Sequence, residues 1–430
     1  MRLTVEELYK IYCDHPQIIT DSRKVIPGCL FFALKGENFD GNSFASQAVA
    51  QGAAFAISDN PNNENEKIVI VNDVLETLQK LSEAHRFHLK IPVIGITGTN
   101  GKTTTKELIN AVLSSHLKTH STQGNYNNHI GVPLTLLSAP AETEVMIVEM
   151  GANHVGEIAF LCSLAKPDMG LITNIGRAHL EGFGGFEGVI KAKSELYQYL
   201  SATGGKAFVN ADNALLMQLS QNLNRIMYGT LPHCDTVGGI LSSDPFLVVA
   251  VKTQSGEIPI STNLVGRYNF ENVLAAVCVG KAMGVPIEKV AKAITAYQPG
   301  NSRSQAIDTG KNKVIVDSYN ANPSSMRAAL ENFSNLQAGH KMVILGDMFE
   351  LGDESGQEHR TIINMVKEMK FDAAILAGTE FMKVVGSNEF TCFSTSGEAR
   401  DWLKANPVSG YTILLKGSRG SRMEYVLEVL

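Results

Sequence analysis

Ile91-Pro-Val-Ile-Gly-Ile-Thr-Gly-Thr-Asn-Gly-Lys-Thr-Thr-Thr105 decides how this 430-residue chain is read. Val93 to Ile96 is a short apolar run of the kind that forms a buried strand ending in a turn. The turn is Gly98-Thr99-Asn100-Gly101, and Lys102, Thr103, Thr104 and Thr105 follow it. Beyond them Leu108, Ile109, Val112, Leu113 and Leu117 fall at helical spacing and can share one face. Glycines let backbone N–H groups approach phosphate oxygens, the helix start adds its positive dipole end, and lysine adds a full charge. A hydroxyl from Thr103 or Thr104 can then reach a magnesium ion. The strict pattern asks for glycine five residues before Gly101, and Ile96 stands there, so the stretch is a variant phosphate loop. It reads as a site for nucleotide phosphates; the plain alternative is a strand-to-helix turn with a lysine on the first helical turn.

The chain is too long for one ordinary core, so two or three domains are expected. With 44% hydrophobic and 19% charged residues, its composition is that of a soluble globular protein. A net charge of −6 argues against broad nucleic-acid binding, which needs clustered Lys and Arg. No apolar run approaches a membrane span, and the start lacks a charged region followed by an apolar core, so no membrane insertion is expected. Cysteines 13, 29, 162, 234, 278 and 392 are scattered without metal-like spacing, which suggests reduced thiols in the cytoplasm.

Residues 1–88 alternate short strands and helices ahead of the loop and form a small α/β domain. Thr20-Asp-Ser-Arg23 precedes a turn and a strand in Pro27–Leu34. Phe44 to Gly52 is helical in pattern, and Ala53–Ser58 and Ile68–Val71 are strands. Ser22 and Arg23 can hold an anionic ligand, since arginine grips phosphate bidentately; taken alone they are a turn with a surface arginine.

Residues 89–298 keep the βαβ rhythm of a parallel sheet, a central domain built on the P-loop variant. Val145–Val148 is a strand ending at Glu149, where α/β sheets bind ligands and where a carboxylate can meet Mg²⁺. A solvent-facing glutamate is the alternative. His179 sits in a glycine-rich loop after the strand Gly170–Thr173, a favourable place for an imidazole with a task, though such a histidine is also ordinary polar surface. In the following helix Val189, Lys193, Leu196 and Leu200 share a stripe, while Lys191, Glu195 and Gln198 fall elsewhere and Lys191 can pair with Glu195. An inward Lys193 calls for snorkelling, an ion pair or chemistry. Residues 207–262 are strand-rich. Asn269 and Asn272 then open a helix three residues apart, with groups suited to a base edge; helix capping by Asn269 is the alternative.

A boundary near Gln298-Pro-Gly-Asn301 leaves residues 299–430 as a Rossmann-like domain. Its strands are Val314–Asp317, Met342–Leu345, Ala373–Leu376 and Thr412–Leu415, each followed by polar residues or glycine that should line a crevice.

Several stretches resemble the Mur ligases, ATP-dependent amide-forming enzymes of peptidoglycan precursor synthesis. They are Gly124-Asn-Tyr-Asn-Asn-His-Ile-Gly131, Glu149-Met-Gly-Ala-Asn-His154, Ala178-His-Leu-Glu-Gly-Phe-Gly184, Ala192-Lys-Ser-Glu195, Leu345-Gly-Asp-Met-Phe-Glu-Leu-Gly352 with His359, and Lys416-Gly-Ser-Arg419. The resemblance covers nearly the whole chain in the same three-domain order. The Asp-Asn-Pro-Arg motif of the diaminopimelate-adding branch is absent, and folylpolyglutamate synthases resemble only the last two domains.

The resemblance implies a cytoplasmic, monomeric ligase that uses ATP and two Mg²⁺ to add D-alanyl-D-alanine to UDP-N-acetylmuramoyl-tripeptide. It implies that residues 89–298 are a P-loop ATPase domain, in which Gly98, Thr99, Asn100, Gly101, Lys102, Thr103 and Thr104 cradle the ATP phosphates. Thr104 and Glu149 would hold one Mg²⁺; His179 and Lys193, the latter as a CO₂ adduct (a carbamylated lysine), would serve the second. Asn269 and Asn272 would contact adenine, and Arg303 and Asp317 the nucleotide from the last domain. Ser22 and Arg23 would bind the UDP end of the acceptor, with Asn127 and Asn128 beside that substrate. Two departures stand out. The first domain is short for the family, so trimmed first strands are expected, and Arg303 follows Pro-Gly-Asn-Ser where Pro-Gly-Arg is common.

Overall fold

A computed structural model describes residues 3–63, 65–300, 302–386 and 389–430; Asn301 of the linker quoted above lies outside them. Its described residues gather into two compact units. One holds Met1–Ile96, Leu117–Ala152 and Gly156–Gly170, the other Thr97–His116, Asn153–Val155 and Leu171–Leu430.

In the first unit a four-stranded parallel sheet runs in the order Ile18–Ile19, Leu30–Phe32, Phe55–Ser58, Ile68–Ile70. Side chains alternate across a strand, so the same strands feed two cores. Leu30, Phe32 and Ile57 pack with Leu8 and Tyr12 of the helix Val5–Asp14 and with Leu78 and Leu81 of the helix Val74–Leu89. Phe31 and Ala56 pack on the other side with Ala45 and Ala48. The helix expected over 44–52 is a 3₁₀ turn, Gly41–Phe44, running into Ala45–Ala50, because Asp40 caps the turn early through the Asn42 N–H.

A second ladder of this unit brings the chain to the phosphate loop. Val93–Thr97 lies beside Val145–Glu149, which lies beside Thr119–Ser121, all parallel. The register sets Ile96 opposite Glu149. Five consecutive buried residues in each of the first two strands match the apolar runs of a sheet covered on both faces.

The second unit starts with the helix Lys102–Ser114. Leu108, Ile109, Val112 and Leu113 are buried on it as expected, but the helix stops before Leu117. It packs against the helix Phe270–Ala282, where Gly280 leaves room for Val112. The strand-rich segment forms Lys206–Asn210, Asn224–Gly229, Thr236–Ser243, Phe246–Thr253 and Gly256–Val265, parallel for the first two pairings and antiparallel for the last two.

The six-stranded Rossmann-like sheet belongs to the same unit. Its order is Gln305–Asp308, Lys313–Asp317, Thr412–Lys416, Lys341–Gly346, Ala373–Ala377, Thr391–Phe393. All pairings are parallel except that of the edge strand Gln305–Asp308. That edge strand alternates exposed and half-buried residues, so it carries no apolar run by which to be read.

Candidate active site

The phosphate loop is held by bonds from a second strand end. Thr97 accepts from the Thr173 N–H at 3.0 Å, and Thr99 N–H donates to Asn174 O at 2.9 Å. Asn100 N–H donates to Asn174 Oδ1 at 3.0 Å, while Thr173 Oγ1 donates to Asn100 O at 2.6 Å. Thr99 Oγ1 and the Gly176 backbone bond each other in both directions. Gly98 has φ +142°, and a Cβ there would collide with Thr173 Oγ1. Gly101 has φ +78°, and a Cβ on it would lie 2.6 Å from Asn272 Oδ1. Both glycines are therefore required by backbone and by neighbours.

Lys102, at the first helical turn, donates from Nζ to Gly98 O at 2.8 Å and Thr99 O at 3.1 Å. Thr103 and Thr104 are buried at the helix start. The cationic lysine thus curls back over the first two carbonyls of the turn, and the first N–H groups of a 13-residue helix stand beside it.

Asn269 and Asn272 lie beneath this loop. Asn272 Oδ1 accepts from Thr105 Oγ1 at 3.0 Å, and its Nδ2 donates to Asn269 Oδ1 at 2.9 Å. Asn269 Nδ2 donates to Val265 O at 2.8 Å. Both amide oxygens are thus already accepting, and both residues are buried. Asn269 stands at the N-cap of the helix Phe270–Ala282 but its side chain makes no capping bond, because it is spent on Val265.

His179 sits in the loop before a short helix, Leu180–Phe183, with φ +51°, a conformation uncommon outside glycine. Its Nδ1 faces Glu350 Oε2, and the imidazole holds the Glu350 carboxyl below the usual carboxylate range. Lys193 is 2% exposed on the helix Phe186–Thr203, with Nζ 5.3 Å from the centre of the Phe183 ring. His179 meets the same ring edge-on at 6.4 Å. Two residues separated by fourteen positions thus share one aromatic side chain. Glu195, expected away from the apolar stripe, is buried as well, while Lys191 is exposed. The helix is covered continuously from Ala192 to Tyr197, which is wider than one stripe.

Arg303 stacks its guanidinium 3.7 Å over the Tyr319 ring. Asp317 pairs with Lys416 Nζ at 2.6 Å, and Lys416 is itself buried. Asn322 caps the helix Pro323–Asn335 through Ser325 N–H and donates from Nδ2 to Asn100 Oδ1 at 2.8 Å. Arg177 N–H donates to Ser324 Oγ at 3.1 Å, and its guanidinium reaches Glu354 at 2.8 Å. A cavity of about 100 Å³ opens at these strand ends, lined by His179, Glu350, Asn322, Phe349, Ser418 and Arg419. The start of the segment that carries Phe349 and Glu350 is tied down by hydrogen bonds. Asp347 is buried, and it accepts from the Glu380 and Phe381 N–H groups at 3.0 Å each. Burial raises its pKa. His359, fully buried, accepts from Met348 N–H at 3.1 Å.

The remaining expected residues belong to the first unit. Glu149 is 1% exposed, and its Oε1 accepts from Asn127 Nδ2 at 2.9 Å. Asn128 Oδ1 accepts from the Ile130 and Gly131 N–H groups, starting the helix Gly131–Leu137. Arg23 donates bidentately from one guanidinium edge, Nε and Nη2, to its neighbour Asp21 at 2.9 Å each, which holds the Asp21 carboxyl down to about 2. Ser22 begins the 3₁₀ turn that Asp21 caps.

Residue-type reasoning did not single out Thr173, Asn174, Asn322 or Glu350. Asn322 carried a signal, an N-capping residue directly before proline at the first helical position. The others carried none in their own neighbourhood.

Loop, helix start and Rossmann-like sheet define a nucleotide-phosphate-binding α/β protein. Family models match the whole run: "Mur ligase family, catalytic domain" over 17–94, "Mur ligase middle domain" over 96–280, and "Mur ligase, glutamate ligase domain" over 302–419. The chain belongs to the Mur ligase family, ATP-dependent enzymes that form amide bonds, and has its three-domain α/β architecture. It is 35% identical over 426 residues to the UDP-N-acetylmuramoyl-tripeptide–D-alanyl-D-alanine ligase of Bacillus subtilis, covering 96% of this chain and 92% of that one. A crystal structure of MurF from Acinetobacter baumannii is similar with a TM-score of 0.87 at 33% identity, over 96% of this chain and 92% of that one. The MurF ligase from Thermotoga maritima in complex with ADP gives a TM-score of 0.84 at 26% identity, over 96% of both chains.

Proposed function

We propose that this enzyme joins D-alanyl-D-alanine to UDP-N-acetylmuramoyl-tripeptide at the expense of ATP, in peptidoglycan precursor synthesis in the cytoplasm, and acts as a monomer. The observation that carries the reading is the likeness, over 96% of the chain, to a ligase named for those two substrates. We assign residues 1–88 to the UDP end of the acceptor, 89–298 to ATP, and 299–430 to the ligase step. Among the described residues no helix is long and apolar enough to cross a membrane.

The chemistry has two stages. The tripeptide carboxylate attacks the γ-phosphorus of ATP, forming an acyl phosphate and releasing ADP. The dipeptide amine then attacks the acyl carbon, and the tetrahedral intermediate expels inorganic phosphate as the amide forms. Bringing a carboxylate to a polyanion makes charge neutralisation the dominant requirement of the first stage. Lys102 and the helix start beside it supply that charge, with Lys102 leaving the Gly98 and Thr99 carbonyls for the phosphate oxygens. An α-amino pKa of roughly 7.7–8.0 leaves about a tenth of the amine unprotonated near pH 7, so no strong general base is required.

The donor chemistry fits Mg²⁺. Thr104 and Glu149 offer a hydroxyl and a carboxylate, and His179 an imidazole. Among the described residues no group of three or more His, Cys, Asp and Glu gathers to hold a metal unaided. Such a sparse set suits an ion that keeps waters and binds phosphate oxygens. Two Mg²⁺ would supply charge neutralisation at the transferring phosphoryl group. Lys193, buried and inward, would serve the second as a carbamate, which turns a cation into an oxygen ligand. Asn269 and Asn272 brace the loop and remain candidates for adenine; Arg303 and Asp317 would meet the nucleotide. Ser22 and Arg23 would take the UDP end, and Asn127 and Asn128 the acceptor nearby.

Stoichiometric ADP release with UDP-N-acetylmuramoyl-tripeptide and D-alanyl-D-alanine, and a product of the combined mass less water, is the expected result. Equal turnover with single amino acids would reassign the acceptor specificity. Turnover without any acceptor would sink the ligase reading in favour of a conformational ATPase.

A further inference from the structure

The His179 loop is gripped at two points by the segment after the strand Lys341–Gly346. Arg177 pairs with Glu354 at 2.8 Å, and His179 Nδ1 faces Glu350 Oε2. The two grips differ in kind. Arg177 is half exposed and cationic in any state, so its pair is a mechanical tie. An imidazole nitrogen that faces a carboxylate must carry a proton, so Glu350 also selects which ring nitrogen is the donor. Backbone geometry points the same way. His179 has φ +51° and Glu350 has φ +63°, two non-glycine residues in the left-handed region at the ends of one contact. Such conformations are strained and persist where surroundings over-determine them. The surroundings here do: Asp347 is locked by two helix-start N–H groups, Met348 N–H is held by His359, and Phe349 N–H is held by Ser418 Oγ at 3.1 Å.

We propose that Glu350 is a positioning residue: it fixes His179 as the Nδ1–H tautomer and leaves Nε2 as the lone pair for a divalent cation. This rests on the reading of His179 as a ligand of an ATP-associated Mg²⁺. Carboxylates that orient metal-binding histidines in this way are general, and their loss weakens metal affinity about 10–100-fold. Because Glu350 comes from the last domain and His179 from the central one, the imidazole is set only while that loop is seated.

The test uses the full-length enzyme with ¹⁵N-labelled histidine and needs no turnover. In the metal-free protein the ring signals of His179, assigned by their loss in His179→Ala, should report the Nδ1–H form in wild type and in Glu350→Gln, whose amide oxygen still accepts. Glu350→Ala should release the ring to the Nε2–H form or a mixture, while Arg177→Ala keeps the wild-type tautomer. Mn²⁺ titration by electron paramagnetic resonance, with a non-hydrolysable ATP analogue bound, should show one ion weakened about 10–100-fold in Glu350→Ala. An unchanged tautomer and unchanged Mn²⁺ binding in Glu350→Ala, with His179→Ala weakened, overturns the role of Glu350 alone. Unchanged Mn²⁺ binding in His179→Ala overturns the metal reading beneath it.

Discussion

Asn272→Ala separates a loop brace from a base contact. The side chain accepts from Thr105 Oγ1 at 3.0 Å, donates to Asn269 Oδ1 at 2.9 Å, and lies where a Cβ on Gly101 would be 2.6 Å away. Truncation removes both bonds. Thr105 can recover by donating to the carbonyl four residues back in its own helix, a bond that threonine readily makes. Asn269 Oδ1 has no such recourse, since Asn269 is 2% exposed and its Nδ2 is committed to Val265. One stranded buried acceptor costs about 1–3 kcal/mol, and the vacated volume under Gly101 adds to it. A loss of about 2–3 kcal/mol lowers Tm by roughly 4–12 °C for a unit of this size. A loosened Gly101 turn should weaken any triphosphate about 10–100-fold, since each 1.4 kcal/mol is about tenfold. Calorimetric titration with ATP, GTP and inorganic tripolyphosphate, each with Mg²⁺, reads the difference. A brace predicts equal losses for all three ligands. Weaker ATP with unchanged tripolyphosphate and unchanged Tm would refute the brace and return Asn272 to adenine.

Lys193→Ala should abolish most ligation and Lys191→Ala little, because only Lys193 is buried; rescue of the former by a small carboxylate in the ADP-release assay supports the carbamate, and equal losses refute it. Lys416→Met strands the Asp317 carboxylate without its 2.6 Å partner and should cost about 3–5 kcal/mol, so a Tm equal to wild type would overturn the pair's structural weight. His85 has its pKa pushed down to about 4 by burial, between the Tyr9 and Tyr12 hydroxyls. Its neutral form is therefore the folded one. Stability from this group is full above about pH 6.5 and falls as pH drops, levelling near pH 4. The slope is at most about 1.4 kcal/mol per pH unit, less for partial exposure, and denaturant unfolding of His85→Gln should show it flattened across that window; an unchanged slope refutes the assignment.

Local grammar carried the reading of the loop and its strands. A buried apolar run has only a few structures open to it, so Val93–Thr97 and Val145–Glu149 emerged within one residue of expectation, and the parallel rhythm set Glu149 at a strand end. The inward stripe located Lys193 for the same reason. What escaped was partner choice. Gly98 is obligatory because Thr173, 75 positions on, occupies the space of a Cβ, and no feature of the loop announces that neighbour. Glu195 is buried because the helix is covered on more than one face, which periodicity on one stripe cannot express. The edge strand Gln305–Asp308 escaped because an edge needs no apolar run to pair.

Asn269 illustrates the limit most clearly. Its position at a helix start suggested capping and its spacing from Asn272 suggested a base edge, both local inferences from donors and acceptors. The side chain makes no capping bond; it donates to Val265 O and accepts from Asn272, bonds that any base would have to compete with. An amide has few bonds to give, and each one made to the protein is withdrawn from a ligand. Lys102 obeys the same accounting with the opposite outcome. Its bonds to Gly98 O and Thr99 O are made to neutral acceptors, and a phosphate oxygen is the stronger partner for an ammonium group. On the proposed reading a triphosphate would draw Lys102 off two neutral carbonyls, whereas a base at Asn269 would compete with the bonds that side chain already makes to Val265 and Asn272. Sequence names the groups able to bind; the strength and burial of their present partners decide which are free to do so.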